Sequence, residues 1–333
     1  MNIEGFKQFC KKRDLYKDNL NEALKVVKDF NDFLIESKRT IDIAREQDVH
    51  AFAQKLIDKN KSKLETFYPL ISYSHFSGNN EMLVALYELI DGSEVLNNLS
   101  KALFSAVGKK QTEDLLRGIN FPKVGTPSSK KPIITKQVIE RLVEALDEKT
   151  CHKVLISNLH GIPKEYYKRR RENFLKAKNI DEYLKQRHAD FIKTLEKHRD
   201  EKTLFFTQEI DDNVIEHVKN NPRIEGGVRE GNIVYVEKIP YMTKKFLTEK
   251  DENLKKYYYC HCPWVREALK ARKIKIPSKF CDCSAGYYKT QWEVILDQPV
   301  EVETIETILE DDSRCLFAIY LPKEIVQESE KNN

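Results

Sequence analysis

The cysteines of this 333-residue chain are unevenly spread, because five of the seven lie between residues 260 and 315. Four of these five form two pairs with one residue inside each pair and 18 residues between the pairs: Cys260 and Cys262, then Cys281 and Cys283. Four thiolates can bind a tetrahedral zinc ion at Zn–S distances of about 2.3 Å, and sulfur ligands also suit iron–sulfur clusters and Cu(I). The two pairs therefore predict a metal site, with zinc as the first candidate.

Two neighbours of the paired cysteines could extend this ligand set. Cys315 begins a predicted strand and either faces the cluster as a fifth sulfur or packs in the core. His261 either binds the metal, orients a neighbouring thiol or faces solvent. Reactive thiols, a redox pair and buried packing cysteines remain alternatives to a metal site, and the isolated Cys10 and Cys151 are interpreted as buried or incidental thiols.

Aromatic side chains flank the cysteines closely. They are Trp264, Tyr287, Tyr288 and Trp292. Such residues can line a pocket for an apolar or planar ligand, or they can form the core of the domain. Both interpretations stay open at the level of the sequence.

A basic run lies in the middle of the chain, where residues 111–200 carry 20 basic and 13 acidic side chains. The run consists of Lys168, Arg169, Arg170 and Arg171, and it follows two tyrosines. Basic and aromatic groups that alternate can contact nucleic acid through its phosphates. The alternative is a solvated helix face whose long side chains cover part of a core.

Hydrophobic periodicity divides the chain into four parts. Residues 1–118 predict a bundle of amphipathic helices, and the segment 119–134, with three prolines and a glycine, predicts a linker. Residues 135–200 predict a helical, basic segment. Residues 201–326 predict an α+β domain, in which a helix over 286–296 precedes an antiparallel hairpin of strands near 300–308 and 315–321.

The composition excludes several classes of protein. The chain is 40% hydrophobic and 33% charged, which is typical of globular proteins and not of disordered or fibrous ones. No stretch approaches the roughly 18 apolar residues of a membrane-spanning helix, and the first residues lack the apolar core of a signal peptide. We therefore expect a cytoplasmic protein that is not a membrane protein, in which disulfides are not expected.

The order of motifs around the second cysteine pair resembles a known group of domains. Phe280–Tyr288, Trp292-Glu293, the alternating strand after Pro299 and the strand from Cys315 to Ile319 are similar to 4-vinyl reductase-like domains and to L-2-amino-thiazoline-4-carboxylic acid hydrolase-like proteins. The resemblance implies an α+β fold that binds a small molecule, with cysteines near the pocket. It also implies a ligand from the preceding helical region, where His160 is the available residue.

The N-terminal helices weakly resemble the SAM-like core-binding domain of phage integrases. Residues that carry this resemblance include Leu24, Phe30 and Phe52, while the catalytic residues of a recombinase are not recognisable. Together, these observations predict a metal- or small-molecule-binding protein with a helical interaction module that contacts DNA or a protein. The alternatives are a hydrolase or thiol-dependent enzyme that uses the cysteines, and a DNA-binding protein.

Overall fold

The computed structural model describes residues 1–271 and 273–331, and its internal contacts divide it into two units. The first unit comprises residues 1–93 and 121–131, and the second comprises residues 94–120 and the chain from Pro132 onward. The helical first unit and the mixed second unit confirm the predicted α+β class.

The first unit is a helical bundle around an aromatic core. Its helices are α1 Ile3–Lys12, α2 Leu20–Ile35, α3 Glu46–Asp58, α4 Leu64–Ser77 and α5 Asn80–Ile90. Phe30 of α2 and Phe52 of α3 are both buried, with their ring centroids 4.8 Å apart. Full burial of such a side chain contributes about 1.5–3 kcal/mol, so the apolar faces that repeat every three to four residues hold these helices together.

The segment predicted as a linker is folded against the first unit. Ser62 Oγ donates a hydrogen bond to the carbonyl of Val124, and Ser128 Oγ donates to Glu88 Oε1 at 2.5 Å. Gly125 has a φ of +83° and lies against the ring of Phe67, where a side chain would clash. Glycine is required here for both reasons, and residues 121–131 thereby become part of the bundle.

The boundary of the bundle also differs from the predicted one at residue 118. Helix α6, Val95–Leu116, belongs to the second unit. The side-chain amide of Asn98 donates to the carbonyl of Leu159 at 2.9 Å, and Arg141 donates to the carbonyl of Leu115 at 3.0 Å. These contacts join residues far apart in sequence, which hydrophobic periodicity does not reveal.

The second unit combines helices with one small sheet. Its further helices are α7 Lys131–Ala145, α8 Glu148–Leu155, α9 Lys168–Lys176, α10 Ile180–Asp200, α11 Asp212–Lys219, α12 Thr243–Thr248, α13 Glu252–Tyr259, α14 Arg266–Ala271, α15 Asp282–Leu296 and α16 Lys323–Lys331. The sheet has four antiparallel strands in the order β1-β2-β4-β3, and they span Val228–Glu230, Ile233–Glu237, Leu316–Tyr320 and Glu301–Glu306 in that spatial order.

The predicted C-terminal hairpin is present as β3 and β4. Val302 pairs with Ile319 and Thr304 with Phe317, so that the alternating apolar residues face the same side of the sheet. That side packs on α15, whose Trp292 is fully buried in the same core. The sheet and α15 therefore form the frame that positions the paired cysteines.

None of the helices in the described part of the chain is sufficiently long and apolar to cross a membrane.

Candidate metal centre

The first cysteine pair lies in the connection between α13 and α14. Cys260 follows the last residue of α13 in an extended conformation, which ends the helix. The carbonyl of Cys262 accepts hydrogen bonds from the backbone N–H groups of Val265 and Arg266 at 3.1 and 2.9 Å. This turn fixes the backbone of the pair. Cys260 is buried and Cys262 is half-buried.

The second pair lies at the N-terminal end of α15. Cys281 is the residue before the helix and Cys283 lies in its first turn. The N-terminus of a helix stabilises negative charge, so this position favours thiolates. The hydroxyl of Thr307 donates to Cys281 Sγ at 2.9 Å.

Cys315, just before β4, is held beside both pairs. Its backbone N–H donates to the hydroxyl of Tyr259 at 3.1 Å, and that hydroxyl donates to the carbonyl of Lys238 at 2.8 Å. The Cys315 thiol raises the pKa of Cys260 and of Cys281, next to the larger effect of burial. The structure therefore brings Cys315 to the cluster as a fifth sulfur.

His160 lies on the same cluster, beside Cys283. Its Nε2 is 3.5 Å from Cys283 Sγ, and its Nδ1 is 3.6 Å from a carboxylate oxygen of Glu94. Burial lowers the pKa of His160, but Cys283 and Glu94 outweigh it and raise the pKa to about 10. Helix α15 lies close to the backbone of Ile156 and Ser157, shortly before His160 in the chain. Gly286 allows this close contact, because a side chain at this position of α15 would collide with that backbone.

The side chain of His261 does not simply face solvent. It is half-buried, and its Nε2 donates to the carbonyl of Ile239 at 2.5 Å. Burial lowers its pKa to about 3, and the charges of Lys238 and Arg266 add to this effect. The ring is therefore neutral at ordinary pH, with one nitrogen already engaged by the backbone.

Burial dominates the electrostatics of the thiols. It raises the pKa of Cys260 to about 11 and the pKa values of Cys262 and Cys281 well above their usual range, and the thiols raise one another's pKa further. Without a cation among them, these groups are neutral thiols at pH 7. A bound metal ion supplies the charge that makes them thiolates.

Lys238 and Asp282 are two charged residues of the site that sequence reasoning missed. Lys238 lowers the pKa values of Cys260 and Cys262, against the effect of burial, and its Nζ donates to Ser284 Oγ at 2.8 Å. Asp282 lies between the cysteines of the second pair and is buried.

The carboxylate of Asp282 has three partners. It accepts hydrogen bonds from His152 at 2.8 Å and Thr304 at 3.0 Å, and it pairs with Lys279 at 3.1 Å. This network fixes the turn that carries Cys281 and Cys283. The sequence does show an acidic residue between the two cysteines of this pair. It does not show the partners of that residue, which lie up to 130 positions away.

The sulfur atoms are spread more widely than a single zinc ion requires. Four thiolates around zinc at about 2.3 Å are about 3.8 Å apart. Among the described residues, three ligand atoms lie within 4.8 Å of one another at Glu46, His50 and Glu88 of the first unit, but not at the cysteines. A single zinc ion would therefore need the thiols to rotate inward, whereas a cluster of several metal ions suits a wider spacing.

The four aromatic residues near the cysteines occupy different environments. Trp264, Tyr288 and Trp292 are buried, and Tyr287 is half-buried with its ring 6.3 Å from that of His160. Two described cavities, of about 510 and 250 Å³, are lined by other residues. Tyr288 and Trp292 belong to the core between α15 and the sheet, and a pocket formed by the four residues remains a prediction.

The four residues of the basic run lie in two different environments. Arg170 pairs with Glu225 at 2.6 Å, and Arg171 pairs with Asp297 at 2.9 Å. Lys168 and Arg169 are exposed. Contact with nucleic acid remains a prediction, and it applies best to these two exposed residues.

Comparison with curated proteins finds no match, and comparison with solved structures finds none either. Residues 238–326 match the model of a family of unknown function (DUF6144). The matched segment runs from Lys238 through all five clustered cysteines and the hairpin into α16, whereas His160 lies before it. Over its cysteine-bearing segment, the chain is thus similar to a family of unknown function, DUF6144.

Proposed function

We propose that this protein binds a metal centre through the cysteine cluster of its second unit. The observation that carries the proposal is the convergence of five cysteines and His160 from four separate segments on one largely buried place. Buried thiols that lie beside one another offer the sulfur ligands that a soft cation prefers, and binding of the cation would release their protons. Cys260, Cys262, Cys281 and Cys283 are the principal ligands, with Cys315 and His160 as the additional ones.

The wide spacing of the sulfur atoms favours a centre of several metal ions, such as an iron–sulfur cluster, over one tetrahedral zinc ion. Zinc remains the alternative that the paired cysteines predicted. In either case the centre would supply positive charge to the thiolates, and the hydroxyl of Tyr259 links the backbone of Cys315 to that of Lys238 beside them.

The test is the metal content of the full chain purified anaerobically without chelator. We expect either iron with acid-labile sulfide and a visible absorption band, or zinc without one. Replacing Cys281 and Cys283 together by serine should remove the metal. The control replaces Cys10, which is buried on α1 of the first unit, and should keep it. A metal content below roughly a tenth of an equivalent in the unmodified protein would contradict the proposal.

A second candidate function rests on the pair of Cys283 and His160. A cysteine in the first turn of a helix, 3.5 Å from a histidine, has the arrangement of an activated nucleophile. This function predicts that Cys283 alone reacts rapidly with iodoacetamide at pH 7 in metal-free protein, and that His160→Gln slows the reaction. Uniformly slow alkylation of all seven cysteines would exclude it.

The helical first unit is proposed as an interaction module for DNA or a protein.

A separate proposal concerns the basic run of the second unit. Steeply salt-dependent retention on duplex DNA, weakened by replacing Lys168 and Arg169, would favour its contact with nucleic acid.

A further inference from the structure

A second group of buried polar side chains lies in the same unit, around the middle of α15. We call it the donor cluster, and its members are Tyr167, Tyr183, Arg187 and Trp292. Tyr167 and Trp292 are fully buried, Tyr183 is 2% exposed and Arg187 is 8% exposed. In each of them a buried polar atom has no partner at hydrogen-bond geometry among the described residues: the two tyrosine hydroxyls, Arg187 Nη1 and Trp292 Nε1. The Tyr183 hydroxyl still interacts with Arg187, and that of Tyr167 with Tyr287.

These side chains share one neighbourhood. The ring centroids of Tyr183 and Trp292 are 6.4 Å apart, and the guanidinium carbon of Arg187 lies 5.8 Å from the centre of the Trp292 ring. The Tyr167 ring packs on that of Tyr287, with 6.2 Å between the centroids. The four donors therefore belong to one region between α9, α10 and α15.

The guanidinium of Arg187 is fixed on one side and open on the other. Its Nη2 donates to Gln291 Oε1 at 2.7 Å and to Glu225 Oε1 at 3.0 Å. These two bonds hold the plane of the group, so that Nη1 has a defined position without an acceptor of its own. Because Nε also donates to Glu225 Oε1, at 3.3 Å, Nη1 is the nitrogen of this guanidinium that is left, among the described residues, for a further acceptor such as a carboxylate oxygen.

The charges around Arg187 do not balance. Glu225 accepts hydrogen bonds from both Arg170 and Arg187. Burial raises the pKa of Glu225, but the two arginines lower it by more, so this carboxylate is charged. Two guanidinium groups thus share one carboxylate, which leaves one positive charge in excess. Gly226 permits this approach, because a side chain there would collide with His188 and with the carbonyl of Leu184.

The excess of donors determines the chemistry of an occupant. Arginine and the tryptophan N–H can only donate, and a buried donor without an acceptor costs about 1–3 kcal/mol. Water can accept hydrogen bonds but cannot neutralise the charge. We propose that the donor cluster binds the carboxylate group of a small organic acid, with Arg187 as the residue that pairs with it.

This site is independent of the metal centre, although both involve α15. Cys283 and Trp292 are nine residues apart on this helix, which corresponds to a rise of about 13 Å. Tyr287, which contacts the rings of both His160 and Tyr167, lies between the two regions. Loss of the metal and loss of carboxylate binding can therefore be observed separately.

The experiment is calorimetric titration of the full-length protein with sodium benzoate and sodium acetate, and with sodium phosphate for comparison. We expect saturable binding of a carboxylate. Tyr183→Phe removes one donor and keeps the ring, whereas Trp292→Phe removes one donor and replaces the indole by a smaller ring, and each should weaken binding roughly tenfold. Arg187→Gln should abolish it. The matched control is Arg229→Gln, which removes the same charge from an ion pair with Asp181 on α10 and should leave binding unchanged.

Stability distinguishes a bound ligand from a misfolded variant. Without ligand, Tyr183→Phe should unfold at the same or a higher urea concentration than the parent protein, because it removes a buried hydroxyl that has no partner at hydrogen-bond geometry among the described residues. Absence of binding by either carboxylate at about 10 mM would overturn the proposal and leave water as the occupant. Equal binding of phosphate, or unchanged binding in the Tyr183→Phe and Trp292→Phe proteins, would overturn the carboxylate assignment.

Discussion

The cysteine cluster and the donor cluster are two buried polar regions along one helix, and they would bind ligands of opposite charge. The thiols of Cys260, Cys262 and Cys281 are neutral until a cation arrives, since burial raises their pKa values. The two arginines around the middle of α15, Arg170 and Arg187, are charged already and share the carboxylate of Glu225, and Arg187 Nη1 has no acceptor among the described residues. Under the two proposals, one fold would hold a soft cation and a carboxylate by placing sulfur at one end of a helix and guanidinium groups further along it.

The largest expected effect comes from removing the only carboxylate that Arg170 and Arg187 share among the described residues. Glu225→Gln leaves two largely buried cations without a counter-charge, and breaking such a pair costs about 3 kcal/mol. Urea denaturation measures the loss. Glu230→Gln is the control, because Glu230 is exposed and pairs loosely with Arg223 at 3.7 Å. If the metal content falls together with the stability, the two regions are not independent and the comparison fails.

A smaller effect is expected at the other region from Asp282→Asn. The amide keeps the size of the side chain but weakens its bonds to His152 and Lys279, which orient the second cysteine pair. Loss of such a supporting residue lowers metal affinity roughly tenfold, measured by competition with a chelator. Asp297→Asn, at the far end of α15, should leave the affinity unchanged, and an equal effect of the two substitutions would contradict the role of Asp282.

The smallest effect concerns the pH dependence of the metal-free protein. The pKa of His160 is raised from 6.5 to about 10, so its contribution to stability is complete below pH 6.5 and is lost as the pH rises through 10. His160→Gln should therefore flatten the decline in stability over this range, as measured by urea denaturation at successive pH values. A parallel decline in both proteins would show that His160 and Cys283 do not form an ion pair without metal.

The sequence predicted the elements whose pattern is local. Trp292 and Ile295 indicated α15, and the alternation of Val300, Val302 and Thr304 indicated β3, because side chains on one face of a strand repeat every second residue. Strand β1 was missed, since its three residues, Val228–Glu230, are too few for a pattern. The paired spacing of the cysteines is also a local pattern, and it indicated the candidate site.

What the sequence could not show depends on contacts between distant segments. Arg187 and Gln291 are 104 residues apart, and His152 and Asp282 are 130 residues apart. For the run that includes Arg170, the sequence left nucleic-acid contact and a helix face over part of a core both open, and it could not show that Arg170 pairs with Glu225. Burial determines what such a charge does, and burial follows from the whole fold.

The way the chain passes between the two units limits how the protein can be dissected. The chain leaves the first unit after residue 93, returns to it for residues 121–131 and leaves it again. A single cut near residue 118, where the sequence pattern alone would place it, would separate α6 from the unit to which it belongs and the segment 121–131 from the bundle. A fragment of the first unit therefore requires a rejoined chain, in which a short linker joins residue 93 to residue 121 in place of residues 94–120.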